Sequence, residues 1–311
     1  MSSAAATAAA LSEALFETLL YGAYGVLFAI VIYLFRRRHG IMEKRPVRGV
    51  LLGLIVQFIT ITVHWINGIY EVYFSFVHLG GGETIVAFYS DLSAPHAVLQ
   101  ITLFVICSLV ADMLVIYRLY VIFSHRRNPV IFPLLLLVGQ AISGGGVISV
   151  FATSNHANAF YSLANGWVTT SLVSSIVISV YSSAMISWKI WWARRALGGL
   201  SVHFIGGIRP MFFLAVLVES AALQTAASIA LLAGFQIGFI AQQLVVQHLA
   251  PAIFGISTVL IHARIGLGWA YEPSGQSTSV DISARITFAA APSDAYPSRG
   301  EEHALEVYPR K

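Results

Sequence analysis

The residues with the clearest capacity for chemistry are polar side chains inside long apolar segments. Asp112 lies within residues 97–123, an apolar stretch long enough to cross a bilayer. A carboxylate at the centre of a spanning helix costs about 2.5–3.5 kcal/mol on insertion scales, so it normally faces protein or water. At a rise of about 1.5 Å per residue, three other side chains reach a similar depth and complete an intramembrane polar layer: Gln57, Gln140 and Glu219.

Glu219 is expected to face the inside of a helix bundle. It shares a helical stripe with small residues that let helices approach closely: Ala215, Ala222, Ala226 and Ala230. The polar layer has two interpretations. Its side chains either hold the bundle together by hydrogen bonds between helices, or form a proton-linked switch or relay.

A second group of polar residues lies closer to the opposite membrane face. His64 on the second apolar segment and His248 on the seventh share a depth, and Pro251 follows on the seventh. A ligand-binding pocket for a small molecule is predicted there: His64, Trp65, Asn67, Gln243, Gln247 and His248. The alternative is a pair of packed, neutral histidines. Because only two histidines share this depth, and Asp112 is displaced from them, no metal site and no cofactor is predicted.

Two further patterns follow the same segments. Tyr117 and Arg118 lie near the end of the third segment, in a Tyr-Arg-Leu-Tyr run. This run is similar to the acidic-Arg-Tyr ending of the third helix in G-protein-coupled receptors, but this chain lacks the acidic residue. A role in coupling to the cytoplasm is predicted for them, although Arg118 could equally reach lipid phosphates. On the fifth segment a serine edge favours packing over a transport path: Ser171, Ser175, Ser179 and Ser182.

The composition indicates the elements that position these residues. Of 311 residues 57% are hydrophobic and only 10% are charged, against about 25% charged in soluble domains. This balance predicts an all-α membrane protein, a bundle of seven transmembrane helices. The predicted spans are residues 16–35, 50–70, 97–123, 130–152, 167–188, 211–232 and 237–261, with a tight turn near Gly234. The single cysteine, Cys107, excludes an intramolecular disulfide.

Charge predicts the orientation of the bundle. With seven spans, all 18 Lys and Arg residues lie toward one side of the membrane: Arg118 near the end of the third span, and the others in alternate connections or after the last span. The charged residues of the other side are all acidic: Glu13, Glu17, Glu71, Glu83 and Asp91. The positive-inside rule therefore places the N-terminus outside and the C-terminus in the cytoplasm. The predicted domains are a short extracytoplasmic N-terminus (1–14), the bundle (15–270) and a Ser- and Pro-rich, disordered cytoplasmic tail (271–311).

Three sequence runs carry a family resemblance: ADMLVIYRLYVIF (111–123), VESAALQT (218–225) and GISTVLIHARIGLG (255–268). Over residues 15–270 the chain resembles the large, uncharacterised seven-span membrane protein family of mushroom-forming (basidiomycete) fungi. The resemblance implies a seven-helix fold and a fungal source, and it carries no agreed activity. Gln224 stands where similar sequences often have a tyrosine.

Several function classes are excluded by pattern. The sequence has no H-E-x-x-H, G-x-S-x-G or Walker motif, so no catalytic residue is predicted and we expect no enzyme. None of Lys44, Lys189 and Lys311 lies in the seventh span, which excludes a retinal Schiff base there. The net charge of +4 comes from residues that flank spans, and no nucleic-acid partner is expected.

Two functions remain. The first is a receptor-like sensor in the plasma membrane, rather than an endomembrane, that binds a small extracellular ligand and signals to a cytoplasmic protein. The second is a transporter or proton-linked channel that uses the intramembrane carboxylates, against which stands the absence of an internal repeat. In either case the lipid bilayer is the constant partner.

Overall fold

The computed structural model describes residues 3–37, 45–78, 84, 88–89, 91–123, 126–153, 157–197, 210–237 and 240–270. Within these ranges it is helical and has no strand, and seven helices are long and apolar enough to cross a membrane. They are α1 (Ser3–Arg37), α2 (Arg45–Val77), α3 (Pro95–Ile122), α4 (Asn128–Thr153), α5 (Ala157–Leu197), α6 (Pro210–Ile237) and α7 (Ile240–Ala270). The predicted all-α, seven-helix membrane architecture is therefore confirmed.

Most helices are longer than the predicted spans, and two of the differences change the interpretation. α1 begins at Ser3, and its membrane-compatible part begins at Ala10, so the helix includes most of the predicted N-terminal segment. α6 continues to Ile237, so the break before α7 lies beyond Gly234. All seven helices belong to one compact unit, Met1–Pro273. The predicted cytoplasmic tail lies outside the described residues.

The helices pack in a ring in chain order, and α7 closes the ring by packing against α1. α3 is central, because it contacts α2, α4, α5 and α7. Close approach to α3 depends on glycine: a Cβ on Gly53 would lie 2.6 Å from a Leu114 methyl, and one on Gly144 would lie 2.6 Å from a Val105 methyl. α3 therefore carries residues that can reach four neighbouring helices.

Contacts between helices fix which residues share an end of the bundle. Glu17 on α1 contacts His64 on α2, and Gln100 on α3 contacts His248 on α7, so all four lie toward one end. We call this the Glu13 end. Arg118 on α3 contacts Thr258 on α7 toward the other end, which we call the Arg118 end.

Candidate functional site

Two glutamates and two histidines form a buried cluster at the Glu13 end. The Glu–His cluster consists of Glu13 and Glu17 on α1, His64 on α2 and His248 on α7. Nδ1 of His248 lies 2.7 Å from Oε1 of Glu13 and 3.9 Å from Oε2 of Glu17. Nδ1 of His64 lies 2.9 Å from Oε1 of Glu17. Three helices therefore meet through alternating carboxylates and imidazoles.

Local structure explains why these side chains meet. Glu13 and Glu17 are four residues apart and lie on one face of α1. Gly68 on α2 leaves room for this face, since a Cβ there would lie only 2.8 Å from Oε2 of Glu17. The two imidazole rings meet edge to face, with centroids 5.7 Å apart. Nε2 of His64 is buried and has no hydrogen-bond partner among the described residues.

A chain of amides extends the cluster along α2 and α3. Nε2 of Gln100 lies 3.0 Å from Nδ1 of His248 and 3.3 Å from Nδ1 of His64. Its Oε1 accepts a hydrogen bond from Asn67, and the same amide group of Asn67 donates to Glu71 at 2.8 Å. A third buried carboxylate thus belongs to the same network.

Tyr89 lies near the edge of this network. Its hydroxyl is 3.4 Å from the hydroxyl of Ser75. Burial, together with the negative charges of Glu13 and Glu71, raises the pKa of Tyr89 to about 12. The phenol therefore stays protonated at physiological pH and remains a hydrogen-bond donor.

The predicted ligand-binding residues fall into two groups. His64, Asn67 and His248 meet in the buried network. Trp65 does not join them: its ring stacks on Tyr21 at 4.6 Å, and its indole nitrogen donates to Thr18. Gln247 is half-buried, and the side chain of Gln243 lies outside the described residues.

Glu13 and Glu17 were missed as site residues. From the sequence they entered only the count of charges on each side of the membrane. Their spacing of four on an otherwise apolar helix was the available signal, because such a pair presents both carboxylates on one face. The sequence did not indicate which helix packs against that face. In the structure α1 packs against α7, from the other end of the chain.

An aromatic layer separates the two ends of the bundle. Tyr24, Phe254 and Phe104 are buried, and the Phe104 and Phe254 ring centroids lie 6.3 Å apart. Tyr24 also packs against Phe58, with centroids 5.9 Å apart. In α7 the layer follows His248 by six residues, and in α3 it follows Gln100 by four. On α3 and α7 the polar groups of the two ends are therefore separated by buried aromatic residues.

Asp112 anchors the polar residues beyond this layer. The carboxylate is fully buried and accepts hydrogen bonds of 2.8 Å from Gln140 on α4 and from Gln224 on α6. Gln140 also donates to Ser108. Asp112 therefore faces the interior, as expected of a carboxylate within a span, and it contacts Gln140 of the predicted polar layer. Gln57 is buried too, but it donates to Thr258 on α7, at 3.5 Å.

The prediction that Glu219 faces the bundle is wrong. Glu219 is exposed on the surface of α6, as are Ala222 and Ala226 of the small-residue stripe. The inward face of α6 carries Ser220 and Gln224 instead. The stripe misled the prediction because alanine is compatible with lipid as well as with a close helix contact, whereas Gln224 satisfies a buried carboxylate only on the inward face.

Arg118 lies at the far end of α3 and contacts α7. Its Nη2 donates to the backbone oxygen of Thr258 at 2.9 Å and to Nδ1 of His262 at 3.0 Å. Its Nε is buried without a partner in the part of the chain that the structure describes. A small cavity adjoins the guanidinium. Most of its surface is apolar, and its uncharged polar lining side chains are Ser179, Ser183, Ser220, Gln224 and Ser257.

The serine edge of α5 faces this region. Ser175, Ser179 and Ser182 are buried, and Ser171 is half-buried, so the serine edge of α5 faces the interior of the bundle. The hydroxyls of Ser179 and Ser182 have no hydrogen-bond partner among the described residues. Tyr117, the neighbour of Arg118, lies against Gly49 of α2.

No family model, no curated protein and no solved structure matches the chain.

Contacts between α3 and α7 occur at three levels along the bundle. Gln100 contacts His248 at the Glu13 end, the thiol of Cys107 donates to the backbone oxygen of Pro251 at 3.7 Å, and Arg118 contacts Thr258 at the other end. Pro251 lies inside α7, where its missing N–H removes one helix hydrogen bond. α7 is thus held to the central helix on both sides of a weakened turn.

Chemically, the two ends differ in charge. The Glu13 end concentrates carboxylates and imidazoles, which bind cations or polar solutes. The Arg118 end offers a guanidinium, hydroxyls and amides.

Proposed function

We propose that this polytopic membrane protein is a receptor-like sensor in the plasma membrane. In this proposal the N-terminus is extracytoplasmic, the Glu–His cluster binds a small extracellular solute, and the Arg118 end contacts a cytoplasmic signalling protein. The orientation rests on the distribution of Lys and Arg, and the fungal family resemblance rests on the three sequence runs.

The observation that supports a sensor is the three-level contact between α3 and α7. A solute bound by His248 and Glu13 changes the contacts of α7 at one end. Because α7 also binds Arg118 through Thr258 at the other end, a shift of α7 alters the position of that guanidinium. Sensors need two arrangements of such an element, each with different contacts to the ligand.

The aromatic layer favours sensing over transport. A transporter or proton-linked channel needs a polar path that joins the two ends in at least one state. Tyr24, Phe104 and Phe254 are buried aromatic residues, and those in α3 and α7 lie between the Glu–His cluster and the level of Asp112 and Thr258. A signal can cross this layer by movement of α7, whereas a solute cannot cross without displacing the rings.

The test measures the distance between α3 and α7 at the Arg118 end. Spin labels are placed at Met113→Cys and Leu260→Cys in a Cys107→Ser background, which keeps a donor for the Pro251 oxygen. Compounds that raise the Tm of the protein in nanodiscs are first selected, because ligands stabilise the state they bind. We expect such compounds to shift the label distance by about 1–2 Å or more, the scale of helix shifts in signalling transitions.

Arg118→Gln provides the control for coupling. It removes the guanidinium that holds Thr258 but leaves the Glu–His cluster intact. The same compounds should raise its Tm equally while the distance change becomes smaller. Compounds that bind without changing the distance in the parent protein, and that accumulate inside reconstituted vesicles, would contradict the sensor and support the transporter.

A further inference from the structure

We propose that Glu13, Glu17 and His248 bind a divalent transition-metal ion of the zinc class, with His64 holding Glu17 in position. This inference names the ligand class for the Glu–His cluster, and its signalling role rests on the proposed function. Binding itself does not depend on that function.

The ligand atoms already lie at the spacing of a metal site. One oxygen of each glutamate and one nitrogen of His248 are all within 4.8 Å of one another, and all three residues are buried. Bonds of 2.0–2.1 Å in a tetrahedral site place neighbouring ligand atoms about 3.3 Å apart. The observed separations from Nδ1 of His248 bracket this value: 2.7 Å to Glu13 and 3.9 Å to Glu17. Small side-chain rotations suffice to close the site.

The charge of the network also calls for a cation. Three buried carboxylates, Glu13, Glu17 and Glu71, share the network with two imidazoles. In the described part of the chain the ion pairs of Glu13 and Glu17 are with histidine alone. Three ionised carboxylates would exceed the charge of two protonated imidazoles, and either a proton on one carboxylate or a bound cation restores the balance. Buried charges are paired or bind metals, because an unpaired one is costly.

Hydrogen-bonding groups compete for Nδ1 of His248. Its Nδ1 faces the carboxylate of Glu13, which can only accept, and the amide nitrogen of Gln100, which can only donate. One ring nitrogen cannot both donate and accept. Exchanging the nitrogen and oxygen of the Gln100 amide would place its nitrogen against the amide nitrogen of Asn67, so two donors would face each other. The Asn67 nitrogen already donates to Glu71 and to the backbone oxygen of His96. A cation bound to Nδ1 of His248 and to the glutamates would use the lone pair of that nitrogen, so the Gln100 amide would have to turn to another acceptor when the site is filled.

The donor set selects the class of metal. Two carboxylates and an imidazole suit zinc and its first-row neighbours, whereas calcium takes six to eight oxygen ligands. Cys107 is elsewhere on α3 and contacts Pro251, so the site contains no thiolate. His64 holds the second oxygen of Glu17 through Nδ1, which is how neighbouring groups orient metal-binding carboxylates.

The experiment measures Zn²⁺ binding to the full-length protein in nanodiscs by calorimetry and metal analysis. We expect one Zn²⁺ per chain, and about 100-fold or greater weakening in Glu13→Gln, Glu17→Gln and His248→Gln. Matched controls are Glu219→Gln, exposed on α6, and His96→Gln, whose ring stacks on Phe88. Both should bind Zn²⁺ as the parent does. Equal binding by parent and ligand variants, or no binding by the folded parent, would overturn the site.

If a variant of a metal-binding residue fails to fold, Co²⁺ binding to the parent protein provides a second test. Co²⁺ added to the parent protein should give visible absorption of a four- or five-coordinate ion with nitrogen and oxygen ligands, displaced by Zn²⁺. The spectrum of hydrated Co²⁺ alone would overturn the site. Adding Zn²⁺ to the spin-labelled protein separates the two proposals. If Zn²⁺ binds and the label distance stays the same, the metal site is supported and the sensor is contradicted. If other compounds change the label distance and Zn²⁺ does not bind, the sensor is supported and the metal site is contradicted.

Discussion

Gln224 donates a hydrogen bond of 2.8 Å from Nε2 to Oδ1 of Asp112, and this bond joins α6 to the central helix α3. Gln140 on α4 holds the other carboxylate oxygen at the same distance. One carboxylate thus connects three helices. Because both amides lie in the buried interior, the stability of the bundle should depend on the acceptors of residue 112.

Replacement of Asp112 tests this dependence. Asp112→Leu removes both acceptors and leaves two buried amide donors unsatisfied, at about 1–3 kcal/mol each. Asp112→Asn keeps one acceptor, and its new amide can donate to Oε1 of Gln140, which has no partner among the described residues. We expect a clear fall in Tm for the leucine variant and a small change for the asparagine variant, measured by thermal unfolding in nanodiscs. Equal Tm values for the leucine variant and the parent would contradict the bridging role.

Paired substitutions test which face of α6 is buried. Glu219→Leu alters an exposed position, so we expect an unchanged or higher Tm, because a carboxylate in the bilayer is costly. Gln224→Leu removes the bond to Asp112 from a buried position and should lower the Tm. The same thermal assay measures both variants. A loss of stability in Glu219→Leu, with none in Gln224→Leu, would mean that the opposite face of α6 is inward.

Phe254→Ala tests the aromatic layer. Phe254 is fully buried and packs near Phe104, and Phe→Ala changes in cores typically cost about 3–5 kcal/mol. We expect a lower Tm and, in vesicles loaded with a pH-sensitive dye, a faster proton leak than in the parent. Phe132→Ala, at an exposed position on α4, is the matched control and should leave the leak unchanged. A Phe254→Ala variant that leaks protons no faster than the parent would show that another part of the protein blocks proton passage.

Cysteine labelling in intact cells tests the orientation of the bundle. The native Cys107 is buried, so we expect the reagent to label only the introduced cysteine. Asp91 precedes α3 and Arg126 precedes α4, and both are exposed. A membrane-impermeant maleimide should label Asp91→Cys on intact cells and Arg126→Cys only after permeabilisation. The reverse pattern would invert the bundle and place the Glu–His cluster on the cytoplasmic side.

The sequence by itself determined the class of protein and the helix count. Apolar runs of about 20 residues have few stable alternatives in a bilayer, because each backbone group must be paired within its own helix. The cost of exposing a carboxylate to lipid also predicted that Asp112 turns inward, which the structure confirms, but the same rule failed for Glu219, which is exposed on α6. Such conclusions depend only on local composition and length.

Only the tertiary structure decided which polar residues meet. Glu13 and His248 are separated by almost the whole chain, and they come together because α7 packs against α1. Likewise Gln224, rather than Glu219, reaches Asp112 because of the rotation of α6 about its axis. In a membrane the apolar pattern of a helix gives little guidance on that rotation, since lipid and protein interior are both apolar. The hydrogen bonds between helices fix it, and they depend on neighbours that the sequence does not place side by side.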